Sequence, residues 1–277
     1  MRRLSSSIPS RFVTVGVGIT AILFAVICLT WISTRGHAAS YTIPRDADGH
    51  PDLNGIWQAL NTANWNLQDH AAGQGPVASL GAVFSIPGGL GVVEGNDIPY
   101  QRWAAAKQKE NAANWIKLDP EVKCYLPGVP RFTYIPFPFQ ILQTSQKIIM
   151  VSEYAAAVRT IHLQDPDEPP IDTWMGHSHA RWNGETLIVD VAGLNGQTWL
   201  DRAGNFVSET AHITERYTAQ SSHHLLYEAV IEDPKVFTRP WKIRMPLYRR
   251  MEQDAQLLDY KCVEFAEELL YGHLRKK

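Results

Sequence analysis

The second half of the chain alternates hydrophobic and polar positions in short runs separated by turn-forming residues. Alternation over about four to eight residues is typical of β-strands with one buried face. The runs cover residues 139–145, 147–154, 157–163, 175–182, 185–192, 208–218, 224–233, 240–249 and 256–264. A further strand is expected at Trp57, so the pattern predicts about eight to ten strands.

These runs are not separated by helical patterns, so we expect an antiparallel meander rather than parallel βαβ units. A sheet of this size is expected to close on itself because closure removes exposed strand edges. The predicted fold class is therefore mainly β, with a closed or nearly closed antiparallel barrel formed by one domain over residues 39–277.

One N-terminal helix and one glycine-rich loop are predicted upstream of the strands. Residues 99–117 show helical spacing, Asp97 can cap the start, and Pro120 closes the end. Residues 61–95 are rich in Gly, Ala and Asn. They lack the preceding strand and the following Lys-Ser/Thr of a phosphate-binding loop, so we predict a long ordered loop.

Residues 176–191 predict a β-hairpin, because Asn183-Gly184 between alternating runs is typical of a tight turn. A two-residue loop there would place His177 opposite Asp190. Directly opposed residues share a face, so the register separates polar from apolar side chains. The polar face would hold His177, His179, Arg181, Thr186, Ile188 and Asp190, and the apolar face, with Leu187, Val189 and Val191, would point into the core.

Three interpretations of this polar face are open. It can be a solvated face with a cross-strand ion pair, which contributes little to stability. It can be an acid–base site in which Asp190 orients His177 and Arg181 stabilises developing negative charge. It can also be a metal site built on His177 and His179, with Asp190 or His212 as a further ligand.

The His177-x-His179 pair resembles the first histidine motif of the cupins, which are metal-binding double-stranded β-helices. The next acidic residue, Glu185, comes one or two positions later than that motif requires, and the predicted register puts it on the opposite face. A second histidine motif at the proper distance is not evident. We therefore predict no metal.

Two carboxylates on other strands are candidate site residues. Glu215 shares a face with Ile213 and Tyr217, so it is either a buried carboxylate that needs a partner or a rim carboxylate paired with an Arg. Glu228 shares a face with apolar neighbours and either points into a cavity or lies on a half-exposed strand. We expect Glu215 in catalysis and Glu228 in ligand binding.

Residues 132–139 form an aromatic segment stiffened by prolines. Tyr134 and Phe137 can wall an apolar ligand or merely cap the barrel. With His179 and His212 they complete the ligand-binding residues that we expect.

The first residues have the three parts of a secretory signal. Arg2, Arg3 and Arg11 make a basic start, 21 uncharged residues run from Phe12 to Ile32, and small residues follow. Cleavage is expected after Ala38. The alternative is an uncleaved anchor, since about 20 apolar residues span a bilayer.

Both alternatives place the remaining domain outside the cytoplasm, in the periplasm or secreted. The leader carries four of the 26 basic residues and no acidic one, so the remainder has 22 basic and 28 acidic residues. This acidic balance gives no electrostatic footprint for nucleic acid. The membrane is a partner only through the N-terminal segment.

Cys124 and Cys262 remain once the leader with Cys28 is removed. An even count in an oxidising compartment favours a disulfide between them, and two buried free thiols are the alternative. The chain has no Gly-x-Ser-x-Gly elbow and no dinucleotide fingerprint. Export also separates it from cytoplasmic NAD and ATP, so no cofactor is expected.

Gly55-Ile56-Trp57 resembles the Gly-x-Trp start of the lipocalin and calycin barrels. The resemblance implies that Trp57 closes one barrel end, with Arg249 or Arg250 packed on it. About 70 residues between Trp57 and the next clear strand depart from strict lipocalin topology. Residues 119–143 and 176–190 also resemble segments common in exported bacterial proteins of unassigned function.

The sequence therefore predicts an exported β-barrel that binds a small apolar or aromatic molecule in its interior. The alternative is a cofactor-independent acid–base enzyme, such as a lyase, hydratase or isomerase. In that enzyme His177 is the acid or base and Asp190 its orienter. The oligomeric state does not follow from the sequence.

Overall fold

Nine strands close into a barrel in a computed structural model that describes residues 43–75, 79, 81–82, 85–164 and 171–274. The strands are β1 (Gly55–Gln58), β2 (Phe139–Gln143), β3 (Lys147–Ser152), β4 (Val158–His162), β5 (His177–Asn183), β6 (Thr186–Ala192), β7 (His212–Ala219), β8 (His224–Glu232) and β9 (Trp241–Arg249). The predicted leader and its cleavage site lie outside the described residues. The prediction of a mainly β, closed barrel is confirmed.

Strand order around the barrel follows the order along the chain, and β1 closes the barrel on β9. Neighbouring strands are antiparallel except for β4 and β5, which are parallel. The prediction of a purely antiparallel meander is wrong at this one pair. Parallel neighbours need a connection that returns to the starting end of the first strand, which a tight hairpin does not provide.

The β4–β5 pair, which we call the seam, is short. Only Ile161 with Ser178 and His162 with His179 are in register. By contrast, β7 and β8 share eight pairs between His212 and Ala219 on one strand and their partners on the other. The two strands of the seam are offset along the barrel, so part of each has no partner across the seam.

Strict alternation along the strands separates core from surface. On β7, Ile213, Glu215 and Tyr217 are buried, whereas Thr214 and Arg216 are partly exposed. Each fully buried aliphatic side chain contributes about 1.5–3 kcal/mol to folding. The apolar inward positions therefore define which face of every strand points into the barrel.

The β5–β6 hairpin forms with a different register from the prediction. Asn183 pairs with Thr186, so the turn residues are Gly184 and Glu185, and His179 rather than His177 lies opposite Asp190. Only Gly184 has a positive φ, of 58°, as expected for a turn with glycine at its first central position. The shift of two residues leaves the division into faces unchanged because side chains alternate with period two.

Within the described ranges, four α-helices accompany the barrel: α1 (Arg102–Ala113), α2 (Trp115–Leu118), α3 (Arg131–Tyr134) and α4 (Ala266–Tyr271). The first two lie in or next to the predicted helix over 99–117. The described residues of the glycine-rich segment 61–95 are mostly irregular and place Ala63 and Leu67 in the core, as a long ordered loop would.

The run 256–264 is not a strand, which corrects that prediction. It carries Cys262, which forms a disulfide with Cys124 with an S–S distance of 2.00 Å. The predicted disulfide is therefore confirmed. This covalent bond and the contact of Tyr260 with Phe137 hold the segment on the protein without strand pairing.

Trp57 is buried in β1, and the Arg249 guanidinium lies 4.8 Å from the centre of its ring. Arg250 instead bonds Glu252. The contact of Arg249 with Trp57 is the one that the lipocalin resemblance implies. The nine strands and the parallel pair differ from the eight-stranded antiparallel barrel of lipocalins.

Candidate functional site

A pocket of about 520 Å³ opens in the barrel wall beside the seam. It lies where the β4 residues Val158, Arg159 and Thr160 have no register partner on β5. We call this pocket the wall slot. Its volume is in the range of pockets that hold drug-sized ligands.

The floor of the wall slot consists of inward-facing side chains. Arg159 and Ser178 are each 2% exposed, and Arg159 Nε donates to Ser178 Oγ at 3.0 Å. Arg159 Nη1 also donates to Glu215 Oε1 at 3.2 Å. The slot therefore connects the outer surface with a charged group of the barrel interior.

Glu215 is fully buried and is held by several donors. It accepts from Arg159, from Tyr217 Oη at 3.1 Å and from Tyr227 Oη at 2.7 Å. Burial lowers the pKa of Arg159, but the Glu215 carboxylate outweighs this and raises it above its ordinary value. Burial and then the Glu215 charge raise the pKa values of both tyrosines. The Arg159 guanidinium and the Glu215 carboxylate therefore lie in direct contact beneath the slot.

The rim carries His162, Asp172, Trp174 and His177. His177 Nε2 lies 3.0 Å from the carbonyl oxygen of Ile171. A carbonyl only accepts, so Nε2 carries a proton, and Nδ1 is the acceptor of the ring when it carries no second proton. Among the described residues, nothing bonds that Nδ1 or the side chains of His162 and Asp172.

Gly193 brings two of these side chains close to one point. It has a φ of 68°, and a β-carbon built on it would lie 2.9 Å from His177 Cδ2 and 3.5 Å from Asp172 Oδ1. Any larger residue would be strained there and would crowd His177. Backbone bonds from Thr173 N to Gly193 O, at 2.9 Å, and from Asn195 N to Thr173 O, at 2.9 Å, fix this wall of the slot.

The aromatic wall of the slot is supported from behind. The rings of Trp174 and Tyr125 lie with centroids 5.0 Å apart, and Leu126 lines the slot next to them. Tyr125 follows Cys124, so the disulfide anchors the segment that backs the wall. This arrangement offers a planar apolar surface beside hydrogen-bonding groups.

Of the predicted catalytic residues, His177 and Glu215 lie at the wall slot, whereas Asp190 and Arg181 lie on the outer face of the barrel. His177 lies on the rim of the slot, and Glu215 lies under its floor. Asp190 bonds Arg181 Nη1 at 2.6 Å and Thr214 Oγ1 at 3.0 Å on the outer face of the barrel. Asp190 is therefore not the orienter of His177, because the register differs from the predicted one by two residues. Ile171 O accepts the hydrogen bond from His177 instead.

The predicted ligand-binding residues on the strands point outward. His179 is partly exposed opposite Asp190, and His212 is exposed at the start of β7. Glu228 forms an ion pair with Lys242 at 2.7 Å on the outer face. None of these three is among the residues that line the wall slot.

Tyr134 and Phe137 pack into the protein. Tyr134 is 1% exposed and donates to Leu200 O at 2.8 Å. The ring of Phe137 contacts Tyr154 and Tyr260, with centroids 5.7 and 4.7 Å away. These contacts match the capping alternative rather than a ligand wall.

Arg159, Asp172 and Trp174 were not expected as site residues. A signal for Arg159 exists, because it shares a strand face with Ala157 and Ile161 and a charge on an apolar face needs a buried partner. Asp172 and Trp174 lie in an irregular segment. Only the tertiary fold brings that segment beside β4.

A second buried polar cluster lies in the loops and does not line the slot. Arg131 bonds Asp119 at 2.7 Å and Glu121 at 2.6 Å, and Arg202 bonds Glu121 at 2.8 Å. Burial raises the pKa of Glu121, but the two guanidinium groups outweigh this and hold it at about 2. The cluster ties the start of α3 to the segments that carry Asp119, Glu121 and Arg202, none of which belongs to a barrel strand.

Asp201 is fully buried near that cluster and is held by amide donors from Leu67 and Asn205 at 2.6–3.1 Å. Burial raises its pKa to about 6, although those donors act in the opposite direction. This carboxyl therefore titrates near neutral pH.

No protein-family model, curated protein or solved structure matches the chain. Within the described ranges, no helix is long and apolar enough to cross a membrane. Nor do three or more His, Cys, Asp or Glu side chains group there in a way that could hold a metal ion.

Proposed function

We propose that the protein is an exported barrel that binds a small, partly aromatic molecule in the wall slot. The observation that carries the proposal is the convergence of an aromatic wall, at Trp174, with unbonded polar groups on His162, Asp172 and His177. Ligand pockets typically combine apolar walls with a few polar groups that fix orientation.

The wall slot supports this role better than the centre of the barrel. Inward positions along the strands are filled by large buried side chains, including Tyr217, Tyr227, Phe139 and Met150. Among the described residues that line the slot, Arg159 and Ser178 are the most deeply buried. The ligand therefore lies in the wall, and its inner end meets the buried polar floor.

The disulfide supports export, because disulfides persist in oxidising compartments such as the periplasm and the cell exterior. N-terminal sequencing of protein from the native host checks the leader, and we expect the mature chain to begin at Ala39. A chain that keeps Met1 and fractionates with membranes would support the anchor alternative.

Ligand capture tests the binding proposal. Protein exported by the native host is extracted with solvent, and the extract is analysed by mass spectrometry for a compound that Trp174→Ala fails to retain. Trp103→Ala is the matched control, because Trp103 is 55% exposed on α1 and does not line the slot. Equal retention by both variants would contradict the proposal.

A second candidate function is acid–base catalysis by a lyase, hydratase or isomerase in the same slot. It is favoured by the fixed tautomer of His177, whose Nδ1 can remove a proton from a bound molecule. With the captured compound as substrate, His177→Ala should abolish turnover and keep binding, whereas His179→Ala should keep both. Unchanged turnover in His177→Ala would exclude this candidate.

A further inference from the structure

We infer that the wall slot selects a small organic ammonium, meaning an amine that is protonated at neutral pH and carries a planar ring. This inference rests on the proposed function. It deepens that function by naming the charge of the ligand.

The charge of the slot favours a cation. Its described lining contains one Arg, which is Arg159, and one acidic residue, which is Asp172. The guanidinium of Arg159 is neutralised from below by Glu215, and its side chain is only 1% exposed. The carboxylate of Asp172 is exposed and pairs with no described residue. Among the described lining residues, the charge of Arg or Asp that is left without an ion-pair partner is therefore negative, which attracts a cation and repels a carboxylate.

The hydrogen-bonding groups of the rim also favour an ammonium. His177 Nε2 donates to Ile171 O, so Nδ1 is the ring nitrogen left for a ligand, and it accepts when the ring carries one proton. Asp172 only accepts when it is ionised. Asp172 Oδ1 lies 3.5 Å from the point where Gly193 lacks a β-carbon, and the Cδ2–Nε2 edge of the His177 ring borders the same point. An ammonium has three donors and no acceptor, so it suits the Asp172 carboxylate.

The aromatic wall of the slot suits the planar ring of the ligand. A ring of the ligand can pack against Trp174, which Tyr125 supports at 5.0 Å. Trp is also the aromatic side chain that attracts a cation best. The same wall therefore favours both parts of an aromatic amine.

Isothermal titration with three probes of similar shape tests the inference: 2-phenylethylamine, 2-phenylethanol and 3-phenylpropionate. We expect the amine to bind about five- to tenfold more tightly than the alcohol, and the carboxylate to bind most weakly. Asp172→Asn should reduce the amine affinity to that of the alcohol and leave the alcohol unchanged. Glu232→Gln removes the same charge from β8, three strands away from β5, and should change neither.

The outcomes separate the ligand class from the site. Trp174→Ala should weaken the amine and the alcohol alike. If the carboxylate binds as tightly as the amine, or if Asp172→Asn leaves the amine affinity unchanged while Trp174→Ala lowers it, the ammonium inference fails and the slot remains a binding site. If Trp174→Ala changes no probe, or no probe binds, the proposed site fails together with its ligand class.

Discussion

Arg159 on β4 and Glu215 on β7 form an ion pair inside the barrel in which neither side chain is more than 1% exposed. The two strands are not neighbours, since β5 and β6 lie between them. The pair therefore links opposite sides of the short seam from within. Its polar surroundings, Ser178, Tyr217 and Tyr227, supply the further hydrogen bonds that a buried pair requires.

Removing one partner of this pair should destabilise the protein strongly. Arg159→Met leaves a buried carboxylate without its cation, and we expect a loss of about 3–5 kcal/mol in the free energy of unfolding. The double variant Arg159→Met/Glu215→Gln should recover part of this loss, because it leaves no uncompensated charge. Urea unfolding at pH 7 provides the measurement. Additive losses in the double variant would show that the two charges do not interact.

Stability should depend on pH through Asp201. Its pKa is raised from 3.8 to about 6 in the folded protein. The folded state then binds more protons than the unfolded state between these values, so stability falls as pH rises from about 4 to about 6. The loss attributable to this group is about 3 kcal/mol.

Asp201→Asn removes this titration, so the free energy of unfolding of the variant should fall less than that of the wild type between pH 4.5 and 6.5. Urea unfolding over this range checks the difference. Glu121 acts in the opposite sense at lower pH, because its pKa of about 2 makes stability fall as pH decreases below 4.5. Equal slopes for wild type and Asp201→Asn would contradict the assignment to Asp201.

The barrel was predictable from local pattern because each strand places alternating side chains inside and outside, and the sequence records that alternation directly. The run 208–218 with Glu215 illustrates this, since the predicted faces are those observed. The strand predicted over 256–264 is wrong, because a disulfide and an aromatic contact, rather than strand pairing, hold this segment on the protein.

The wall slot was not predictable in the same way. It arises from the offset between β4 and β5, and this pairing of two parallel strands leaves no local signal in the sequence. The predicted register of the hairpin is wrong by two residues, because Asn183 belongs to the strand and only Gly184 in the turn has a positive φ. The predicted register therefore paired His177 with Asp190 and gave no indication that His177 contacts Ile171.

The disulfide should be a major source of stability. It closes a loop with a sequence separation of 138 residues, and constraining so long a loop in the unfolded chain corresponds to about 5 kcal/mol in the chain-entropy model. Reduction of the mature protein should therefore lower its urea midpoint markedly. The variant Cys124→Ser/Cys262→Ser should have that lower midpoint already and should not respond to reductant. A midpoint that reductant leaves unchanged in the wild type would contradict the expected contribution.

The contact between Arg249 and Trp57 should contribute to the free energy of unfolding, although Arg249 lies near the exposed C-terminal segment. The guanidinium lies over the buried indole and also donates to Asn54 O at 2.6 Å, so it joins the last strand to the first where the barrel closes. We expect Arg249→Ala to cost about 1–3 kcal/mol in thermal or urea unfolding. Arg250→Ala is the matched control, because Arg250 bonds only the exposed Glu252 through its side chain and its loss should stay within about 0.5 kcal/mol. Equal effects of the two substitutions would mean that the stacked cation does not hold the closure of the barrel.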